Sequence, residues 1–348
     1  MPQLRSTFLR LVASAALVGS ALASGDVNTA YTPDGELIIA GYLPSVPLSV
    51  VGLVFFGLST LVLWTHFFRS THARYMLVLT IGMLCMTLGF VFRILYHGNP
   101  ATLGMYILQT MFILLSPCAF LAMDYMLLGR LARALGDEAT NCLFIRPTLI
   151  SKLFITSDVI TFLLQASGGG MSAGNSDGMR KLGPKLALVG LILQLISFGI
   201  FTLLLLVWGL RVQKRLPRPI PRFRFSAFSM FSKQPVEDWR PLFWVMCLTC
   251  VGIIVRSTFR IVEYSEGYYG YLATHEGYFY LLDALPLWLA MSLYCYFYPA
   301  RFIDGAKSHS LTAVSSSSSE GTHTYAQRPY DVVEKGSPGA YRMNQFRS

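Results

Sequence analysis

Apolar residues in this chain do not alternate with polar ones at short range; they run on for about twenty positions at a time between short polar segments. Seven such runs follow the first forty residues, at 47–68, 75–96, 103–129, 149–167, 186–210, 242–262 and 278–298. A helix rising 1.5 Å per residue needs about 20 residues to cross the roughly 30 Å hydrocarbon layer of a bilayer, and the runs match that length. Inside lipid every backbone N–H and C=O has to be bonded within the spanning structure, which leaves helices or closed barrels. Barrel strands alternate with period two, and these runs do not. The pattern predicts an all-α integral membrane protein, a seven-helix transmembrane bundle over residues 47–298.

The flanking segments read differently. Arg5 and Arg10 precede a short stretch of small and apolar residues, 11–23, that ends in Ala21-Leu22-Ala23. A basic region, an apolar region and a small-residue cleavage site in that order are the marks of a secretory signal. Residues 1–23 are therefore expected to be a signal peptide and 24–46 an extracellular N-terminal segment. An uncleaved signal anchor is the competing reading, and it leaves the later topology unchanged. After residue 298 the composition turns polar, with the serine run 315–319, so 299–348 is expected to be a disordered cytoplasmic tail.

Composition supports the bilayer and charge orients the chain in it. The sequence is 53% hydrophobic and 13% charged, against about a quarter charged in soluble domains. Its net charge of +10 does not point to nucleic acid, because the basic residues lie in short loops between apolar runs and not on a soluble module. The first, third and fifth connections hold fourteen Lys and Arg against three, Arg180, Lys181 and Lys185, in the alternate ones. The positive-inside rule then places the N-terminus outside and the C-terminus in the cytoplasm. Trp64, Trp208, Trp239 and Trp244 fall near the cytoplasmic boundary, as an aromatic belt would. The basic loop 211–240, with Pro217, Pro219 and Pro221, suits either anionic lipid of the inner leaflet or a simple orienting charge excess. Six cysteines lie in apolar runs or expected cytoplasmic segments and imply no disulfide framework; Cys247 and Cys250, although spaced CxxC, read as packing residues.

Candidate chemistry lies in the ionisable residues within the spans. A charge at mid-bilayer costs about 2.5–3.5 kcal/mol on insertion scales, so each calls for a partner or a function. The alternating topology puts Arg93, Asp158, Gln165, Arg256, Arg260, Glu263 and Asp283 in the outer half, although they come from four helices, and Gln194 adds a further amide. Arg256, Arg260 and Glu263 are spaced i, i+4, i+7 and share one helix face. Three arginines and three carboxylates can neutralise one another, so the cluster reads either as a structural network or as a substrate site. Asp124, six residues before Arg130, reads as a boundary charge. The segment 263–276, acidic and tyrosine-rich with no Lys or Arg, reads as a mouth favouring cationic amphiphiles. The glycines Gly168, Gly169 and Gly170 mark a mobile connector or a helix end where another chain segment approaches closely.

The same residues carry a resemblance. Ser157-Asp158 through Gln165-Ala166-Ser167-Gly168-Gly169-Gly170, the stretch Arg256-Ser257-Thr258-Phe259-Arg260-Ile261-Val262-Glu263-Tyr264, and Asp283-Ala284-Leu285-Pro286 resemble signatures of the fungal RTA-like family of lipid-translocating exporters. So do Tyr125 to Leu131 and the Gly-x-x-Leu-Gln pattern ending at Gln194. One departure is Met86, where family members usually carry an acidic residue three positions before the Gly-aromatic pair, here Gly89-Phe90. The resemblance implies a seven-helix fold, fungal origin and export of lipids or amphiphilic toxicants at the plasma membrane. It points to sphingoid long-chain bases or similar cationic amphiphiles, since members are linked to such bases, to 7-aminocholesterol and to protoporphyrin.

Other classes fit less well. No GxxxxGK[ST] motif supports direct ATP-driven pumping. The seventh run holds no lysine for a retinal Schiff base, and the histidines lie at a run's end (His66), in loops or in the tail, away from where a lipid hydrolase would need zinc ligands. No enzyme, metal or cofactor is expected. A seven-helix receptor or stress sensor for lipids or sterols is the alternative, favoured by the basic third cytoplasmic loop and the Ser-rich tail. The partners expected are membrane lipids or amphiphilic small molecules, and oligomeric state is left open.

Overall fold

Each apolar run folds as a helix, and most of the helices outlast their runs. In this computed structural model the described residues are 43–70, 73–100, 102–172, 177–215, 235–236, 238–266, 272 and 275–307. The expected signal peptide, most of the N-terminal segment, most of the basic loop and the Ser-rich tail lie outside them. The helices are α1 (Val46–Arg69), α2 (Leu77–Gly98, entered through a 3-10 turn, Arg74–Met76), α3 (Leu103–Ala134), α4 (Pro147–Ser172), α5 (Asp177–Arg215) and α6 (Arg240–Glu266). The last, α7, starts at Glu276–Tyr278, widens into a π turn at Phe279–Ala284 and finishes as Leu285–Tyr296. All seven are long and apolar enough to cross a membrane. Hydropathy marks only the lipid-buried length; backbone hydrogen bonding carries the helices on into polar sequence, as in α3 through Arg130 and Arg133.

Consecutive helices pack as antiparallel neighbours from α1 to α7, and α7 closes the ring against α1. Lipid offers little hydrophobic drive between helices, so close approach at small residues has to help hold them. At Gly168 on α4 a Cβ would lie 2.6 Å from both the Gly183 carbonyl oxygen and the Ala187 nitrogen of α5. At Gly190 on α5 it would lie 2.9 Å from Gln165 Cγ and 3.0 Å from the Thr161 carbonyl oxygen of α4. These contacts fix α4 against α5 with Gln165 between them. The outward faces of α1, α4 and α5 expose large apolar side chains, among them Leu58, Leu61, Ile160 and Leu203, as lipid-facing surfaces do.

The π turn has an identifiable cause. Pro286 has no N–H to give to the carbonyl four residues back, and its ring would crowd that carbonyl in a regular helix. Widening the preceding turn, with the Leu285 N–H reaching the Tyr280 carbonyl five residues back, relieves the clash. Asp283 sits inside this widened turn and is fully buried.

Two expectations change at the opposite, Arg69 end of the bundle. Trp208 and Trp239 are buried, 1% and 3% exposed, and not set at a lipid boundary; the Trp208 Nε1–H donates to the Ala139 carbonyl at 2.9 Å, on a short helix, Asp137–Asn141. Gly136, at φ 94°, makes the turn out of α3 that places this helix. The chain after 298 is also not irregular from its start: residues 299–307 are helical, Phe302 is fully buried, and the Val236 N–H bonds the Arg301 carbonyl at 3.0 Å. Phe302 and Ile303 are apolar residues that a polar average over the whole tail conceals.

Candidate functional site

The i, i+4, i+7 face of α6 meets the π turn of α7, and an ion-pair network forms there. Arg260 grips Asp283 with both arms of its guanidinium, Nε to Oδ1 at 2.8 Å and a terminal nitrogen to Oδ2 at 2.8 Å. Its other terminal nitrogen donates to Glu263 Oε2 at 3.1 Å. Arg256 Nε lies 2.7 Å from Asp283 Oδ1, an ion pair without the alignment of a hydrogen bond, and its NH2 donates to the Ile113 carbonyl of α3 at 3.4 Å. Asp283 therefore serves two guanidiniums at once and exposes no surface.

Arg93 of α2 belongs to the same group through a partner that sequence reading placed elsewhere. It pairs with Glu276 Oε1 at 2.9 Å and lies 4.6 Å over the Phe279 ring, while Arg260 lies 5.3 Å from the same ring. The other oxygen of Glu276 accepts the Ser45 N–H at 2.8 Å, so it closes α7 onto α1 and is no part of an open acidic mouth. His97 Nδ1–H donates to the Pro44 carbonyl at 2.7 Å on the same side. The network thus holds three arginines and three carboxylates, as the sequence count expects, but Glu276 takes the place assigned to Asp158.

Asp158 stands apart, two turns along α4 from Gln165. Its Oδ2 accepts the Tyr125 hydroxyl of α3 at 2.8 Å, within a cluster of Phe154, Phe198 and Phe201 rings. Gln165 Nε2–H donates to Gln194 Oε1 at 2.8 Å, bridging α4 and α5. Asp124 is not a boundary charge. It is fully buried, accepting the Tyr294 hydroxyl at 2.6 Å and the Thr249 hydroxyl at 3.1 Å. The helix continues past it to Ala134, which puts Asp124 deeper than its distance from Arg130 suggests.

A cavity of about 190 Å3 opens beside the ion-pair network. Its polar wall carries Arg93, Arg256, Arg260, Glu263, Gln165 and Gln109, and its apolar wall includes Leu114 of α3 and Leu191 of α5. Gly169 and Gly170 border it, with open space where a Cβ would stand. Ile107 and Gly170 at one end are exposed, whereas Gln109 and Arg256 are buried, so the cavity runs from the surface inward. Asp158, Gln194 and Asp283 lie behind its walls. Gln109 was not singled out from the sequence, although its signal was the same as that of Gln165: a buried amide within an apolar run.

Comparison with known proteins agrees with this architecture. The family model for RTA1 like protein matches residues 79–306. The chain is 30% identical to Protein RTM1 of Saccharomyces cerevisiae over 64% of this chain and 66% of the relative, and 29% identical to Protoporphyrin uptake protein 1 of the same yeast over 60% and 64%. It is 25% identical to the Sphingoid long-chain base transporter RSB1 of Saccharomyces cerevisiae, over 77% of this chain and 75% of the relative. The matches thus span about two-thirds to three-quarters of the relatives' own lengths. No solved structure matches the chain. A seven-helix integral membrane architecture, with the family match running from α2 to the helix after α7, makes the chain a member of the RTA1-like family.

Proposed function

We propose that this protein translocates a lipid or amphiphilic small molecule, with sphingoid long-chain bases as the leading candidates, and that its site is the cavity bounded by α2, α3, α4, α5, α6 and α7. The observation that carries the reading is a cavity with a charged wall and an apolar wall, reached from the bundle surface between α3 and α4. A space of about 190 Å3 takes a head group and not a whole long-chain lipid, so the tail has to lie along apolar helix faces open to the bilayer. Glu263 is the carboxylate on the cavity wall, held by Arg260 through Oε2. It is the group to which a protonated amine would come, because Asp283 is fully engaged behind the arginines. Names of two relatives, a sphingoid base transporter and a protoporphyrin uptake protein, support transport of hydrophobic molecules. With the loop charges orienting the chain, the cavity faces the exoplasmic leaflet, and the plasma membrane is the expected location.

The test uses the purified full chain reconstituted in liposomes with a labelled sphingoid base. Movement between leaflets faster than in protein-free liposomes is the expected result. Saturable binding without movement would instead establish the receptor reading.

A further inference from the structure

Two carboxylates buried within the spans, Asp124 on α3 and Asp158 on α4, form no ion pair among the described residues. A charge buried without a counter-charge loses its hydration for little return, and taking up a proton removes that cost. Asp158 has one oxygen bonded and one bare, whereas Asp124 is held in a way that suits either state. The Tyr294 hydroxyl donates to Asp124 Oδ1 at 2.6 Å, and Thr249 Oγ1 lies 3.1 Å from Oδ2 and 2.7 Å from the Met246 carbonyl oxygen. The threonine hydroxyl has one proton for those two acceptors. When Asp124 is ionised, that proton points to Oδ2 and the carboxylate holds two hydrogen bonds. When a proton binds Oδ2, the new O–H donates to Thr249 Oγ1, whose own proton turns to the Met246 carbonyl, and Tyr294 still donates to Oδ1. Each hydroxyl is bonded in both states, so one proton can be gained or lost without leaving a donor unmet.

The ionisable groups around Asp124 are Tyr294 of α7, Cys247 and Cys250 of α6 and its neighbour Tyr125 on α3. Helices α2, α4 and α5 bring none into interaction with it among the described residues. Arg130 and Arg256, on the same helices, are engaged elsewhere, Arg130 over the Tyr75 ring at 4.2 Å and Arg256 with Asp283. We propose that Asp124 is an exchangeable proton site, and that its proton couples movement of the bundle to a proton gradient. Asp124, Thr249 and Tyr294 expose no surface, so a proton reaches Oδ2 only when α3, α6 and α7 part. The same helices hold the charged wall of the cavity: Arg256 and Arg260 stand on α6, Asp283 on α7 pairs with both, and the Ile113 carbonyl of α3 accepts from Arg256. Opening this seam to exchange the proton therefore shifts the wall that meets the head group. The coupling, unlike the proton site itself, rests on the reading of the protein as a translocator.

The experiment has two arms, both on the full chain. In nanodiscs, infrared difference spectra are recorded across the pH range in which the protein stays folded; a protonated carboxyl band that titrates in wild type should be missing from Asp124→Asn, whose amide can make the same two hydrogen bonds. Tyr294→Phe, which removes the donor to Oδ1, should shift the band and so assigns it independently. In liposomes with an imposed pH gradient the probe is a labelled long-chain trimethylammonium, which carries no exchangeable proton of its own. Wild type should drive the leaflet ratio of the probe away from one by up to about tenfold per pH unit, the limit for one proton per molecule. Asp124→Asn should still equilibrate the probe faster than protein-free liposomes, and hold the ratio near one in any gradient. The proposal is overturned if no titrating carboxyl band is lost or shifted in the variants, or if the gradient acts on Asp124→Asn as it does on wild type. A titrating Asp124 in a protein that moves the probe in no gradient would sink the transport reading and leave the proton site standing.

Discussion

Asp283 and Glu263 sit one contact apart on Arg260, yet the structure gives them different work. Asp283 is the buried counter-charge for two guanidiniums, and removing one partner of such a group leaves charge uncompensated at a cost of about 3–5 kcal/mol. Asp283→Asn is therefore expected to reduce folded, monodisperse protein in a thermal-shift or size-exclusion assay, so lost transport in that variant would say nothing about substrate. Glu263→Gln leaves Asp283 bound to both arginines; it should keep its melting temperature within a few degrees and lose binding of cationic amphiphiles. A Glu263→Gln protein that binds them normally would remove Glu263 from the site. At this scale the sequence was legible where helical spacing brings residues together, as for Arg256, Arg260 and Glu263. It put Glu276 in an open mouth and missed its bonds to Arg93 and Ser45, which cross 183 and 231 residues, a pairing that no local pattern encodes.

At the scale of elements, position within a helix mattered less than helix geometry. Seven apolar runs gave seven helices because backbone satisfaction in lipid permits little else, whereas the π turn in α7 depends on how one proline is accommodated. A regular helix advances 100° per residue, so closing the extra residue of that turn would swing Asp283 away from α6. The glycine stretch of α4 shows the reverse error: Gly168, Gly169 and Gly170 suggest an end, but the helix runs through them to Ser172 because α5 packs directly on Gly168. Gly190 makes the matching contact from α5. Replacing it with leucine would drive a side chain into Gln165 and the Thr161 carbonyl. Overpacking of this kind costs about 1–3 kcal/mol, so Gly190→Leu should lower the melting temperature of the purified protein and weaken ligand binding by displacing Gln165. Unchanged stability and binding would mean that the α4–α5 seam does not set the cavity wall.

Across the whole molecule the polar groups divide by depth. The ion-pair network and cavity occupy the end of the bundle that holds the start of α1 and the end of α6; farther in, at about one level, Tyr125 pairs with Asp158 and Asp124 with Tyr294 and Thr249 joins α3, α6 and α7. Glu276 ties the start of α7 to both the start of α1 and α2, so the network both closes the ring and furnishes one wall of the cavity. If the cavity is the proposed head-group site, structural network and binding site are two faces of one arrangement: Asp283 and Glu276 away from the cavity, the guanidiniums and Glu263 on its wall. The most direct test of that arrangement is an electron cryo-microscopy map of the full chain in nanodiscs saturated with a sphingoid long-chain base. The account predicts head-group density in the cavity, in hydrogen-bonding reach of Glu263, with the tail leaving between α3 and α4. Density for the base only on lipid-facing helix surfaces, with the cavity filled by water or closed by packed side chains, would contradict it.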